Sequence, residues 1–102
     1  MNTAFLLIGG NVGNREENLE CARKLITQNG GFIEQSSCLY DTAPWGKTDQ
    51  PSFLNQAVEI KTALTAEQLM QQILAMEKLM GRQRIEKYGP RIIDIDILLF
   101  NN

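Results

Sequence analysis

Residues 92–100 read Ile-Ile-Asp-Ile-Asp-Ile-Leu-Leu-Phe, an alternation of apolar and acidic side chains that suits an extended strand. On such a strand Ile93, Ile95, Ile97 and Leu99 share one face. Asp94 and Asp96 share the other, with Cβ atoms about 6.5–7 Å apart. This strand closes a series. Residues 3–9 form a short apolar run stopped by Gly9-Gly10, which reads as a buried strand. Asn14 and Glu17 have the spacing of a capping box, and Leu19, Ala22, Leu25 and Ile26 follow at helical intervals up to Asn29-Gly30-Gly31. Phe32–Tyr40 and Phe53–Thr62 read as strands. Thr65 and Gln68 form a second capping box, opening a helix with Ala66, Leu69, Met70, Ile73, Met76 and Met80 along one side. The order β-α-β-β-α-β predicts an α+β, ferredoxin-like fold: a four-stranded, mainly antiparallel sheet with two helices on one face.

Composition narrows what such a fold can do. At 102 residues with 43% hydrophobic side chains, the chain is expected to form a single domain over 1–102, with no cleft between two halves. It has no histidine, which excludes His-based triads and His-ligated zinc. Cys21 and Cys38 make no CxxC pair and suit a reducing, cytoplasmic setting. No apolar run is long enough for a membrane span, and a pI near 5.0 disfavours general nucleic-acid binding.

The chemistry is expected in two long connections and the last strand. Asp94 and Asp96 have no basic residue between them, and a divalent cation would relieve their repulsion; Mg²⁺, held by one or two carboxylates plus phosphate oxygens, fits best. A solvated sheet face would also carry two aspartates, but Ile92, Leu98 and Phe100 are expected beside them, which such a face would not favour. Immediately upstream, GRQRIEKYGPR (81–91) holds Arg82, Arg84, Lys87 and Arg91 against one acid, Glu86. Such a run is commonly just a solvated loop, yet guanidinium forks match phosphate oxygens, and adjacency to a cation site points to ATP·Mg²⁺. In the other connection, Trp45 and Phe53 are set among Pro44, Gly46 and Pro51. A flat heterocycle could stack there while Asn55 reads its amide-like edge, although Trp45 could equally plug the sheet. Gly9–Gly13 reads first as a tight turn and second as a substrate contact. Glu77, on the apolar stripe of the second helix, is expected to pair with Arg82 or Arg84.

Five motifs in order, IGGN (8–11), YDTAPWG (40–46), DQPSFLN (49–55), EKLMGRQR (77–84) and YGPRIIDIDILLF (88–100), resemble the 6-hydroxymethyl-7,8-dihydropterin pyrophosphokinases of folate biosynthesis. The resemblance spans essentially the whole chain. It implies Mg-dependent pyrophosphoryl transfer from ATP to a hydroxymethyl pterin, releasing AMP. It further implies that Asp94 and Asp96 hold two Mg²⁺ ions, and that Arg82 and Arg84 lie on a loop closing over the transferred group. Arg91 would contact nucleotide or phosphate, with Glu77 near the nucleotide side. Thr42, Pro44, Trp45, Phe53 and Asn55 match pterin-pocket positions, with Gly46 setting the turn. The chain departs from the family pattern at Gly10, Ala43, Phe53, Leu74 and Tyr88. Family members continue beyond the point matching Asn102, so a core-only chain is expected, acting alone or as a weak homo-oligomer. The alternative is a weakly active or inactive pterin- or nucleotide-binding module on the same fold. An RNA-binding module is disfavoured by the acidic pI and the lack of an aromatic motif on the central strands.

Overall fold

The computed structural model describes residues 1–44, 49–81 and 92–101. Among the described residues seven elements follow one another: β1 (Asn2–Gly10), α1 (Arg15–Asn29), β2 (Phe32–Ser36), β3 (Tyr40–Thr42), β4 (Phe53–Thr62), α2 (Ala66–Leu79) and β5 (Asp94–Phe100). The strands form one antiparallel sheet in the order β2-β4-β1-β5, with β3 also pairing β4. Both helices start at the expected caps. Asn14 accepts from the Glu17 N–H at 3.1 Å, and Thr65 and Gln68 exchange both bonds of a capping box.

Period-two alternation sorts the central strands. Ala4, Leu6 and Ile8 of β1 and Leu54, Val58 and Ile60 of β4 are buried against Leu19, Ala22 and Ile26 of α1 and Leu69, Ile73 and Met76 of α2. The alternate residues, including Leu7, Gly9, Asn55 and Ala57, therefore occupy the sheet face away from the helices. Ala66 and Met70 are exposed while Met80 packs on the core, so the α2 stripe is narrower than its sequence implied.

Two expectations about the strands are corrected. Phe32–Tyr40 is not one strand, and among the described residues the sheet has five strands rather than four. Residues 37–39 lie opposite only Gln56 and Ala57, and the Ser37 hydroxyl takes the Ala57 N–H at 2.9 Å in place of a ladder carbonyl. The extra residue bends this edge and splits it into β2 and β3. The second correction concerns β5. Phe5 faces Leu99, whereas Leu6 faces Ile97, so Leu98 is an inserted residue. Beyond it the parity reverses: Leu99 is 50% exposed and Phe100 packs on the core. Ile92 lies ahead of the strand and also packs on the core. Neither Ile92 nor Phe100 accompanies the aspartates.

Candidate active site

The end of the sheet where β1 finishes and β4 and β5 begin brings together Thr42, Phe53, Asn55, Asp94 and Asp96 of the sequence-predicted residues. One row across the sheet runs Tyr40–Asn55–Gly9–Asp94, and the next pairs Ala57, Leu7 and Asp96. A hollow of about 180 Å³ lies over these rows, lined by Leu7, Gly9, Thr42, Ala43, Phe53, Asn55, Asp94 and Asp96. The alternation that buries Ile93 and Ile95 turns Asp94 and Asp96 to this side.

Asn55 is held at a defined angle. Its Nδ2 donates to Thr42 Oγ1 at 2.6 Å. Its Oδ1 lies directly over Gly9, where a Cβ would overlap it and stand only 3.1 Å from Asn55 Cγ. Gly9 is therefore a strand residue kept bare for a neighbouring side chain. Its sequence suggests the start of a tight turn, but β1 runs through Gly10, the bend follows from Asn11, and within that bend the glycine with positive φ is Gly13 at 74°.

Pro44 is half-buried next to Ala43. Trp45, Gly46, Arg82, Arg84 and Arg91 lie outside the described residues. Glu77 is only 3% exposed, and its Oε2 accepts from the Ile95 N–H at 2.8 Å. Ile95 stands between the two aspartates on an edge strand, so this carboxylate ties α2 to the backbone that carries them. Its expected partners, Arg82 and Arg84, are not among the described residues. Glu77→Ala would leave a buried N–H without its acceptor, and a loss of about 2–3 kcal/mol in unfolding free energy is expected from urea titration. Glu77→Gln keeps an acceptor oxygen and should cost clearly less; equal losses would remove the hydrogen bond as the explanation.

Sequence reading missed Leu7 and Ala43 as lining residues, and also the contacts that hold the approach to β4. Asn11 Nδ2 donates to Gln50 Oε1 at 2.8 Å and to the Pro51 carbonyl at 2.9 Å. Arg15 Nη1 donates to the Ser52 carbonyl at 3.0 Å and the Ser52 hydroxyl at 3.1 Å, with Asp41 Oδ2 at 3.4 Å. The Ser52 hydroxyl, helped by the Arg15 charge, holds the Asp41 carboxyl below the usual carboxylate range. The IGGN motif was the available signal for Asn11; Arg15 had none.

The carboxylate pair also bears on the metal. Among the described residues, no group of three or more His, Cys, Asp or Glu converges. Two hard oxygen ligands on one wall of a hollow fit Mg²⁺, which completes its shell with phosphate oxygens and water. They do not fit a closed structural zinc site.

A family model described as 7,8-dihydro-6-hydroxymethylpterin-pyrophosphokinase matches residues 5–101. The chain is 43% identical over 101 residues to the 2-amino-4-hydroxy-6-hydroxymethyldihydropteridine pyrophosphokinase of Bacillus subtilis, covering 98% of this chain and 60% of that protein. It is 42% identical over 95 residues to a mitochondrial folate synthesis bifunctional protein of Arabidopsis thaliana, covering 93% of this chain and 17% of that one. The fold is that of the HPPK-DHPS protein of Plasmodium falciparum, with a TM-score of 0.80 at 24% identity over 99% of this chain and 29% of that structure. The chain thus spans 60% of the length of the bacterial relative and a smaller part of the bifunctional one.

Proposed function

We propose, starting from the fact that this chain belongs to the 7,8-dihydro-6-hydroxymethylpterin-pyrophosphokinase family, that it transfers a pyrophosphoryl group from ATP to the hydroxymethyl oxygen of 6-hydroxymethyl-7,8-dihydropterin. The new bond joins that oxygen to the β-phosphorus. The bond from the β-phosphorus to the oxygen bridging it to the α-phosphorus breaks, AMP leaves, and the hydroxyl proton is lost. The observation that carries this reading is the meeting, in one hollow, of an aimed amide and two carboxylates: Asn55, Asp94 and Asp96.

In this reading Asn55 pairs with the amide-like edge of the pterin, with Thr42 fixing its orientation. Phe53 offers a face for stacking, and Pro44, Trp45 and Gly46 complete the pocket. Asp94 and Asp96 hold Mg²⁺, two ions by family pattern; bound there, the metal supplies charge neutralisation of the phosphates. Arg82 and Arg84 clamp the transferred group and Arg91 the nucleotide, placing positive charge where phosphate charge shifts. Glu77 acts through β5, holding the backbone between the two aspartates. Such a reaction depends on positioning and charge more than on a protein base, so a histidine-free chain can support it. Residues 1–102 act as one pyrophosphokinase-like unit, monomeric or weakly self-associating.

Free, exposed Cys21 and Cys38 suit a reducing cytoplasm. Among the described residues no helix is long and apolar enough to cross a membrane.

The test is direct. The purified chain with ATP, Mg²⁺ and the hydroxymethyl pterin should form AMP and pterin pyrophosphate in equal amounts. Pterin binding by fluorescence without AMP would reduce the protein to a binding module and end the enzyme reading.

A further inference from the structure

We infer that Asn11 and Arg15, which lie outside the hollow, are positioning residues for pterin: together they clamp the segment Gln50–Ser52 and so set the place of Phe53 and Asn55. The inference rests on the function proposed above.

Asn11 follows the last residue of β1 and is only 2% exposed, an unusual depth for an amide. Its Nδ2 donates to both Gln50 Oε1 and the Pro51 carbonyl. Arg15, the first residue of α1, reaches the Ser52 carbonyl and hydroxyl with the same nitrogen that faces Asp41. Two successive carbonyls, those of Pro51 and Ser52, thus accept from side chains of the β1–α1 unit.

The clamp also reaches the other wall of the site. Asp41 precedes Thr42, whose hydroxyl accepts from Asn55, and Ser52 precedes Phe53. One guanidinium therefore ties together the two backbone segments that orient the Asn55 amide. An amide that recognises a ring edge through a donor and an acceptor tolerates little displacement, since both bonds weaken steeply with misalignment. The clamp's work is to limit that displacement, and its loss should fall on pterin more than on ATP.

Steady-state kinetics on Arg15→Ala and Asn11→Ala, with equilibrium pterin binding followed by pterin fluorescence, test this. For each variant the pterin KM and Kd should rise about tenfold. The ATP KM, and kcat at saturating pterin, should stay within about twofold of wild type. Arg15 sits at a partly exposed helix start, so Arg15→Ala keeps the test open if Asn11→Ala fails to fold. A change that merely reduced the folded fraction would lower kcat and leave both KM values alone; that result, or an unchanged pterin KM with normal wild-type turnover, overturns the clamp and spares the proposed function. A wild-type chain that neither binds pterin nor forms AMP overturns both.

Discussion

Asp94→Ala and Asp96→Ala are each expected to lower the rate of AMP formation by about 10²–10³-fold or more, at saturating ATP, Mg²⁺ and pterin. The two carboxylates stand on one face of β5 at either side of Ile95, whose own side chain is buried and whose N–H is held by Glu77. Their backbone is thereby fixed from the helix side while both side chains line the hollow. Under the proposed function, removing one would take a protein ligand from the bound Mg²⁺ and leave the phosphate charge less well neutralised. Asp94→Asn and Asp96→Asn should behave similarly, because shape is kept and charge is lost. Pterin affinity without nucleotide should change by less than about threefold, since neither carboxylate is assigned a bond to the ring. A variant that keeps full turnover at saturating Mg²⁺ would remove that aspartate from the metal site. Parallel loss of pterin binding would contradict the division of roles between β5 and Asn55.

Asn55→Ala should weaken pterin binding by about a hundredfold, the amount expected when a site built to hydrogen-bond a ring edge loses its donor and acceptor together. A second variant reaches the same end without touching Asn55. In Gly9→Ala the new methyl would occupy the space of Asn55 Oδ1 and stand 3.2 Å from the Leu54 carbonyl. The amide must turn away, and its bond to Thr42 is lost with it. Because the displaced atom ends a half-buried side chain, the fold should survive. Gly9→Ala is therefore expected to lose pterin affinity by about tenfold or more with a melting temperature within a few degrees of wild type. Pterin titration alongside thermal unfolding reads both quantities. Unchanged affinity in Gly9→Ala would show that the Asn55 orientation is irrelevant to recognition.

Much of this site was legible in the sequence because its signals are local. The alternation at 92–97 placed Asp94 and Asp96 on one face, and Phe53 and Asn55, two residues apart, were bound to share another. Within the sheet, the strand expectations failed where an extra residue entered a strand. Leu98 and the segment Ser37–Leu39 each insert one residue against β1 or β4. A bulge is a property of the pairing between strands, so one strand's pattern does not announce it. The Gly9-Gly10 pair misled for a related reason. Glycine is as much a turn former as a residue kept small for a neighbour, and only the register opposite Asn55 separates the two.

From its sequence alone, then, this protein's element order apart from the break that makes β3, its capped helices, antiparallel α+β sheet, carboxylate pair and family resemblance could be stated. Period two, period 3.6 and capping act over a few residues and need no distant partner. The tertiary structure decided the reversal of β5 after Ile97, the bare Gly9 beneath Asn55, the burial of Glu77 against Ile95, and the hold of Asn11 and Arg15 on Gln50–Ser52. Each joins residues at least 18 positions apart, or depends on how two strands are aligned. Their energies come from cross-strand register and packing, which no window of the sequence contains.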